Sequence, residues 1–215
     1  RSRGVGSGRD RLERRVAGHM DFFDIIGEHS AMAEAKRLAQ QSASSKIPVW
    51  IQGGAGTEKE LFARVIHGAS RRSGKPFVTV NCQLLSAAMA EAVLFGQEKL
   101  PSGQAHFMPG KLPEADQGTL LLEEPQHLPP EAQQRLLEFM ETGSVVSPDT
   151  GQKMKADVRI LCAVTGAPGG SDPSGMLHHA LRSRLQSVLI ALPPLAQRRE
   201  DIPALAEHCI AMYSA

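Results

Sequence analysis

A lysine that follows closely spaced glycines is the pattern from which a chain builds a cradle for phosphate. Residues 51–60 read Ile-Gln-Gly-Gly-Ala-Gly-Thr-Glu-Lys-Glu. Glycine lets main-chain N–H groups approach an anion, the start of a helix adds partial positive charge, and lysine neutralises the phosphate. The general spacing is G-x-x-x-x-G-K-[ST]. Gly53 and Lys59 keep their places, and Gly54, Ala55, Gly56 and Thr57 follow Gly53. Glu58 stands where the last glycine belongs, and Glu60 where the hydroxyl residue belongs. A carboxylate ~4 Å from a phosphate charge is repelled by about 4 kcal/mol at an effective dielectric of about 20. Half of that weakens binding roughly 30-fold.

A second acidic pattern lies downstream. Leu120-Leu-Leu-Glu-Glu124 is an apolar run that ends in two carboxylates. In this arrangement Glu123 would hold magnesium through water and Glu124 would orient the attacking water. Alone, the pair reads as the solvent end of a strand. Together with the glycine-rich loop, it reads as half of a nucleotide site.

Both patterns work only if strands deliver them to one edge. Residues 47–52, 76–82, 119–124, 158–165 and 187–193 are short, near-continuous apolar runs, as strands buried on both faces should be. Helical patterns separate them. Residues 30–44 place Met32, Ala35, Leu38 and Ala39 on one face, with Ser30 as the expected N-cap. Residues 58–70 are apolar at 61, 62, 65, 66 and 69. Residues 130–143 carry Pro130 in the first turn and Gly143 as the C-cap. The alternation predicts an α/β fold of three layers around a five-stranded parallel sheet. Ligands of such sheets sit at the carboxyl ends of the strands, so the loop after residue 52 and the acidic end of 119–124 are expected to meet.

Composition narrows the class. At 215 residues, 41% hydrophobic and 22% charged, the chain suits one substantial soluble domain. A formal net charge of +1 argues neither for nor against a nucleic-acid partner. No run nears the ~20 apolar residues that span a bilayer. Cys82, Cys162 and Cys209 are far apart and outside any C-x-x-C spacing, which predicts reduced thiols and a cytoplasmic setting. The adjacent His178 and His179 lack the spacing that puts two ligands on one helix face, so no zinc is expected. Residues 1–20, rich in arginine and glycine, read as a linker or a cloning remnant.

Seven stretches carry a resemblance: "IIGEHSAM", "GTEKELFARVIHGASRRSGKPFVTVNC", "LFGQEK", "ADQGTLLLEE", "LPPEAQQRLLEFMETG", "ADVRILCAVT" and "LPPLAQRREDIPALAEH". In this order and spacing, from about Asp24 onward, the chain resembles the central AAA+ ATPase domain of bacterial enhancer-binding proteins. Those proteins activate the sigma-54 form of RNA polymerase. The resemblance implies a P-loop NTPase core over 21–195 and the start of a helical lid over 196–215. It implies ATP or ADP with magnesium as cofactor, and self-association as a dimer or ring. It further implies a receiver before and a DNA-binding domain after this region in the full-length protein. DNA is then met only indirectly, and a membrane plays no part. Residue by residue, it implies that Ile25, Ile26 and Gly27 line the adenine and that Lys59 and Glu60 sit at the phosphates. Asn81 would restrain the catalytic Glu124, and Arg184 would reach a neighbouring subunit's nucleotide.

Five departures from the family pattern set the functional expectation. Glu58 replaces the phosphate-loop glycine, and Glu123 replaces the magnesium aspartate. Thr165 takes the place of the sensor asparagine, and His178 that of the other arginine finger. Leu100-Pro-Ser-Gly-Gln-Ala105 occupies the positions where sigma-54 activators carry G-A-F-T-G-A. The expected role is a weak nucleotide-binding or oligomerisation module with impaired hydrolysis, acting without sigma-54 as partner. The alternative is an active ATPase that remodels a different target.

Overall fold

The computed structural model describes residues 20–99, 106–146, 153–166 and 173–213. Residues 1–19, read above as linker, and the loop Leu100–Ala105 lie outside the described residues.

Five strands form one parallel sheet: β1 (Val49–Gly53), β2 (Phe77–Asn81), β3 (Thr119–Glu123), β4 (Arg159–Thr165) and β5 (Val188–Leu192). Their spatial order is β2-β3-β4-β1-β5, and every pairing is parallel. Alternate residues feed two separate cores. Trp50, Leu120, Leu122, Ile160, Cys162 and Val164 enter one, whereas Val49, Ile51, Leu121, Leu161 and Ala163 enter the other. This is why the strands read as unbroken apolar runs. Each fully buried leucine stabilises the fold by about 2 kcal/mol relative to exposure. A charge at Leu121, which has no exposed surface, would break the layer it joins.

Helices close both faces. α1 (Ser30–Ala43) and α2 (Lys59–Gly68) cover one side; α3 (Ala87–Phe95), α4 (Pro130–Thr142) and α5 (His179–Leu185) cover the other. The cap of α1 is His29, not Ser30: the His29 Nδ1 accepts the Ala31 N–H at 3.2 Å. An N-cap needs an extended backbone, which His29 has at ψ 140°, while Ser30 is already the first helical residue. α4 starts at Pro130, and Gly143, at φ 64°, closes it by donating its N–H to the Phe139 carbonyl at 2.8 Å. Two antiparallel hairpins, Gly96–Lys99 with His106–Pro109 and Ser144–Val146 with Lys153–Lys155, are too short for periodicity to reveal. The final helix, α6 (Ile202–Tyr213), leaves Ile202 and Ile210 exposed. No helix among the described residues is long and apolar enough to cross a membrane.

Two buried arginines secure the amino ends of the strands. Arg159 donates to the carbonyls of Ser42 and Ala43 at 2.7 and 3.0 Å, satisfying the end of α1. Burial, with the charge of Arg72 nearby, holds the Arg159 guanidinium down to about 10. Arg72 donates to the carbonyls of Gly118 and Asp157 and to the Asp157 carboxylate.

Candidate nucleotide site

The phosphate loop leaves β1 at Gly53 and enters α2 at Lys59. A side chain at Gly53 has no room, because a Cβ there would lie 2.4 Å from the Thr57 Oγ1. Thr57, itself buried, donates its hydroxyl to the Gly54 carbonyl at 2.9 Å. Gly56 and Glu58 both adopt positive φ, at 75° and 61°. Glu58 thus keeps a backbone suited to glycine but differs from glycine in charge and in carrying a Cβ there. Holding a residue with a Cβ in the left-handed region costs roughly 1–2 kcal/mol. Its side chain is exposed.

Lys59 turns inward. Its Nζ donates to the carbonyls of Gly53 and Gly54 at 3.1 and 3.0 Å. Burial lowers the lysine pKa, and Glu124 and Glu123 pull it partly back. A half-buried ammonium on two neutral carbonyls gains from any phosphate that replaces them. Glu60 faces outward along α2, where it pairs with Arg64 at 2.7 Å, and that guanidinium lies 4.8 Å over the Phe77 ring.

The acidic end of β3 lies beside this loop, one strand removed. Glu123 is the register partner of Asn81 on β2 and of Ala163 on β4. Burial raises its carboxyl pKa, Glu60 and Glu124 add to the rise, and Lys59 and Arg64 oppose it. Glu124 has φ 52°, a second strained position, with its N–H on the Ala163 carbonyl at 2.9 Å. Its carboxylate is held by Thr165, through the hydroxyl at 2.5 Å and the N–H at 3.0 Å, and by the Gln126 amide at 2.8 Å. The restraint by Asn81 implied by the resemblance is not what the structure shows. The Asn81 Oδ1 accepts the Gln83 N–H at 3.0 Å, capping the turn Cys82–Leu84. The left-handed backbone of Glu124 aims its carboxylate toward β4, while the free N–H after β2 claims the asparagine.

Ile25–Gly27, expected at the base, is fastened by residues from the far end of the chain. Ile25 is buried, and Gly27 has φ 137°. The Asp201 Oδ1 accepts the N–H groups of Glu28 and His29 at 2.7 and 3.2 Å. Arg198 donates to the Ile26 carbonyl at 3.4 Å, and Lys36 to that of Gly27 at 2.8 Å. Sequence reading missed Arg198, Asp201 and Gln126. The signal for the first two was a pair of charges just before the apolar helix α6.

The finger positions sit elsewhere. Arg184 pairs with Glu141 at 2.9 Å on the surface and lines a cavity of about 320 Å³ with Pro48, Ile160 and Ser187, at the amino ends of the strands. It is therefore remote from Gly53 and Glu124 of its own chain. His178 precedes α5, with its N–H on the Gln133 Oε1 at 2.7 Å.

A five-stranded parallel sheet in this order, with a glycine-rich loop and lysine after one strand and paired carboxylates after another, defines a P-loop NTPase domain of the AAA+ class. Residues 25–191 match the family described as the Sigma-54 interaction domain, and the chain belongs to that family. It is 38% identical over 192 residues to a Nif-specific regulatory protein of Rhizobium leguminosarum bv. trifolii, covering 89% of this chain and 54% of that one. It is also 38% identical to the transcriptional regulatory protein ZraR of Escherichia coli, with 89% and 44% covered. Among solved structures, NtrX from Brucella abortus in complex with ATP superposes with a TM-score of 0.78 at 30% identity, covering 95% of this chain and 45% of that one. The chain spans about half the length of the curated relatives it matches.

Proposed function

We propose that this domain is the central module of a transcriptional regulator of the sigma-54-activator type, which binds ATP or ADP weakly, hydrolyses it poorly, and acts without remodelling sigma-54. The observation that carries this reading is Glu58, a carboxylate in left-handed backbone at the mouth of the phosphate loop. Repulsion and lost close approach both act against phosphate there.

The rest of the site fits a nucleotide. Lys59 is directed into the loop, Gly56 supplies a positive φ, and Ile26 and Gly27 offer a segment for the base. Glu123 would hold magnesium through water, and the ion when bound would neutralise charge between phosphate oxygens. Residues 21–195 form the core in this reading, and 196–215 begin a lid. Arg184, remote from its own chain's loop, would serve a neighbour's nucleotide in a self-associated dimer or ring. The sequence Leu100–Ala105 lacks the phenylalanine and threonine of sigma-54 activators, so that factor is not the partner. A receiver, a DNA-binding domain and a cytoplasmic setting complete the proposal for the whole protein.

The test is calorimetric titration of Mg-ATP into the natural chain and into Glu58→Gly. The variant is expected to bind roughly 30-fold tighter, the factor that half the Coulomb cost implies. Equal micromolar affinity would overturn the weak-site reading and favour an active ATPase with another target.

A further inference from the structure

Glu58 and Arg184 carry opposite charges beyond opposite ends of the sheet. The five-residue strand β1 separates the two edges by about 16 Å, so the two side chains do not meet within one chain. Glu58 occupies the cap position of α2 yet makes no capping bond. Its exposed carboxylate has no hydrogen bond or ion pair among the described residues. The amino end of a helix favours negative charge, so this carboxylate stands where the loop would otherwise draw a phosphate.

Two cations rim the cavity at the amino edge. Arg184 and Lys46 line it above the buried Phe139, Ala156 and Ile160. Ile47, between the lining residues Lys46 and Pro48, is exposed and adds apolar surface. Within the chain Arg184 pairs with Glu141 and Lys46 with Asp157, both at 2.9 Å. The Arg184 and Glu141 side chains are 46% and 49% exposed, so water screens their pair and a less hydrated partner displaces it.

We propose that Glu58 of one copy pairs with Arg184 of the next, so that the carboxylate takes the place of a nucleotide phosphate and the chain associates head to tail without nucleotide. The proposal deepens the reading of Arg184 as a residue that serves a neighbour, and rests on it. A contact between unlike edges is heterologous, and its repetition builds a ring or a filament. The same carboxylate that weakens nucleotide binding then frees assembly from nucleotide.

Sedimentation equilibrium in nucleotide-free buffer tests it. The natural chain is expected to associate. Glu58→Gln and Arg184→Glu are each expected to raise the dissociation constant about tenfold or more, the factor for one partner lost from a desolvated charge pair. Glu58→Arg combined with Arg184→Glu reverses both charges and is expected to restore association. A natural chain that stays monomeric overturns the proposal. So does a loss in Glu58→Gln without a loss in Arg184→Glu, or a double variant no tighter than the single ones. In Glu58→Gly, Mg-ATP is expected to bring association back by supplying the phosphate. Failure of that step counts against the nucleotide reading alone, and the charge reversal, made without nucleotide, still decides the pairing.

Discussion

Asp201 lies so close to Gly27 that a Cβ added there would sit 2.6 Å from its Oδ2. The carboxylate that fastens Glu28 and His29 therefore requires glycine at position 27, which also holds φ 137°. Gly27→Ala is expected to destabilise the chain by about 2–3 kcal/mol, from backbone strain and displacement of Asp201. Urea unfolding measures it. A loss under half a kcal/mol would mean that Asp201 moves away freely.

Arg159 carries a comparable burden at the other end of the sheet. Arg159→Met leaves the carbonyls of Ser42 and Ala43 without their donors, at an expected cost of about 3 kcal/mol. Arg159→Lys recovers only part of this, because one ammonium lacks the fork that spans two carbonyls. Chemical denaturation of the three proteins should rank natural, lysine, methionine.

Glu58 makes a stability prediction that needs no nucleotide. Glu58→Gly relieves roughly 1–2 kcal/mol of left-handed strain and adds about 0.4–1 kcal/mol of chain entropy to the unfolded state. The net gain is about 0.5–1 kcal/mol. It should appear as a higher thermal midpoint in nucleotide-free buffer. A lower midpoint would show that the glutamate makes a compensating contact.

His67 gives the fold a pH dependence. Burial depresses its pKa below 6.5, the Lys75 backbone opposes this, and Arg159, Arg64 and Arg72 add to the fall. The unfolded chain therefore takes up its proton first. The stability contributed by neutral His67 is full above 6.5, falls as pH drops toward the folded value, and stays flat below it. Urea midpoints across this range should slope more steeply for the natural chain than for His67→Gln. Parallel slopes would place the titration elsewhere.

The legible part of this protein follows from burial. A parallel strand covered on both faces must be apolar at nearly every position, so the five runs ending near Gly53, Asn81, Glu123, Thr165 and Leu192 announced themselves. Observed boundaries fall within two residues of the expected ones. Once those strands are parallel, Lys59 and Glu123 must reach the same edge. The two short hairpins and the His29 cap were not legible, because three or four residues carry no period and a cap depends on a single ψ angle.

The sequence by itself determined the layers, the sheet and the types of residue at the phosphate edge. Only the tertiary structure decided whom the polar side chains serve. Asn81 turned to its own backbone, Glu124 went to Thr165 and Gln126, and Asp201 crossed 173 positions to reach Glu28. Apolar burial is non-directional and leaves its mark as a pattern. A hydrogen bond is directional and short, so its partner is fixed only when strand order and backbone angles bring two atoms within about 3 Å.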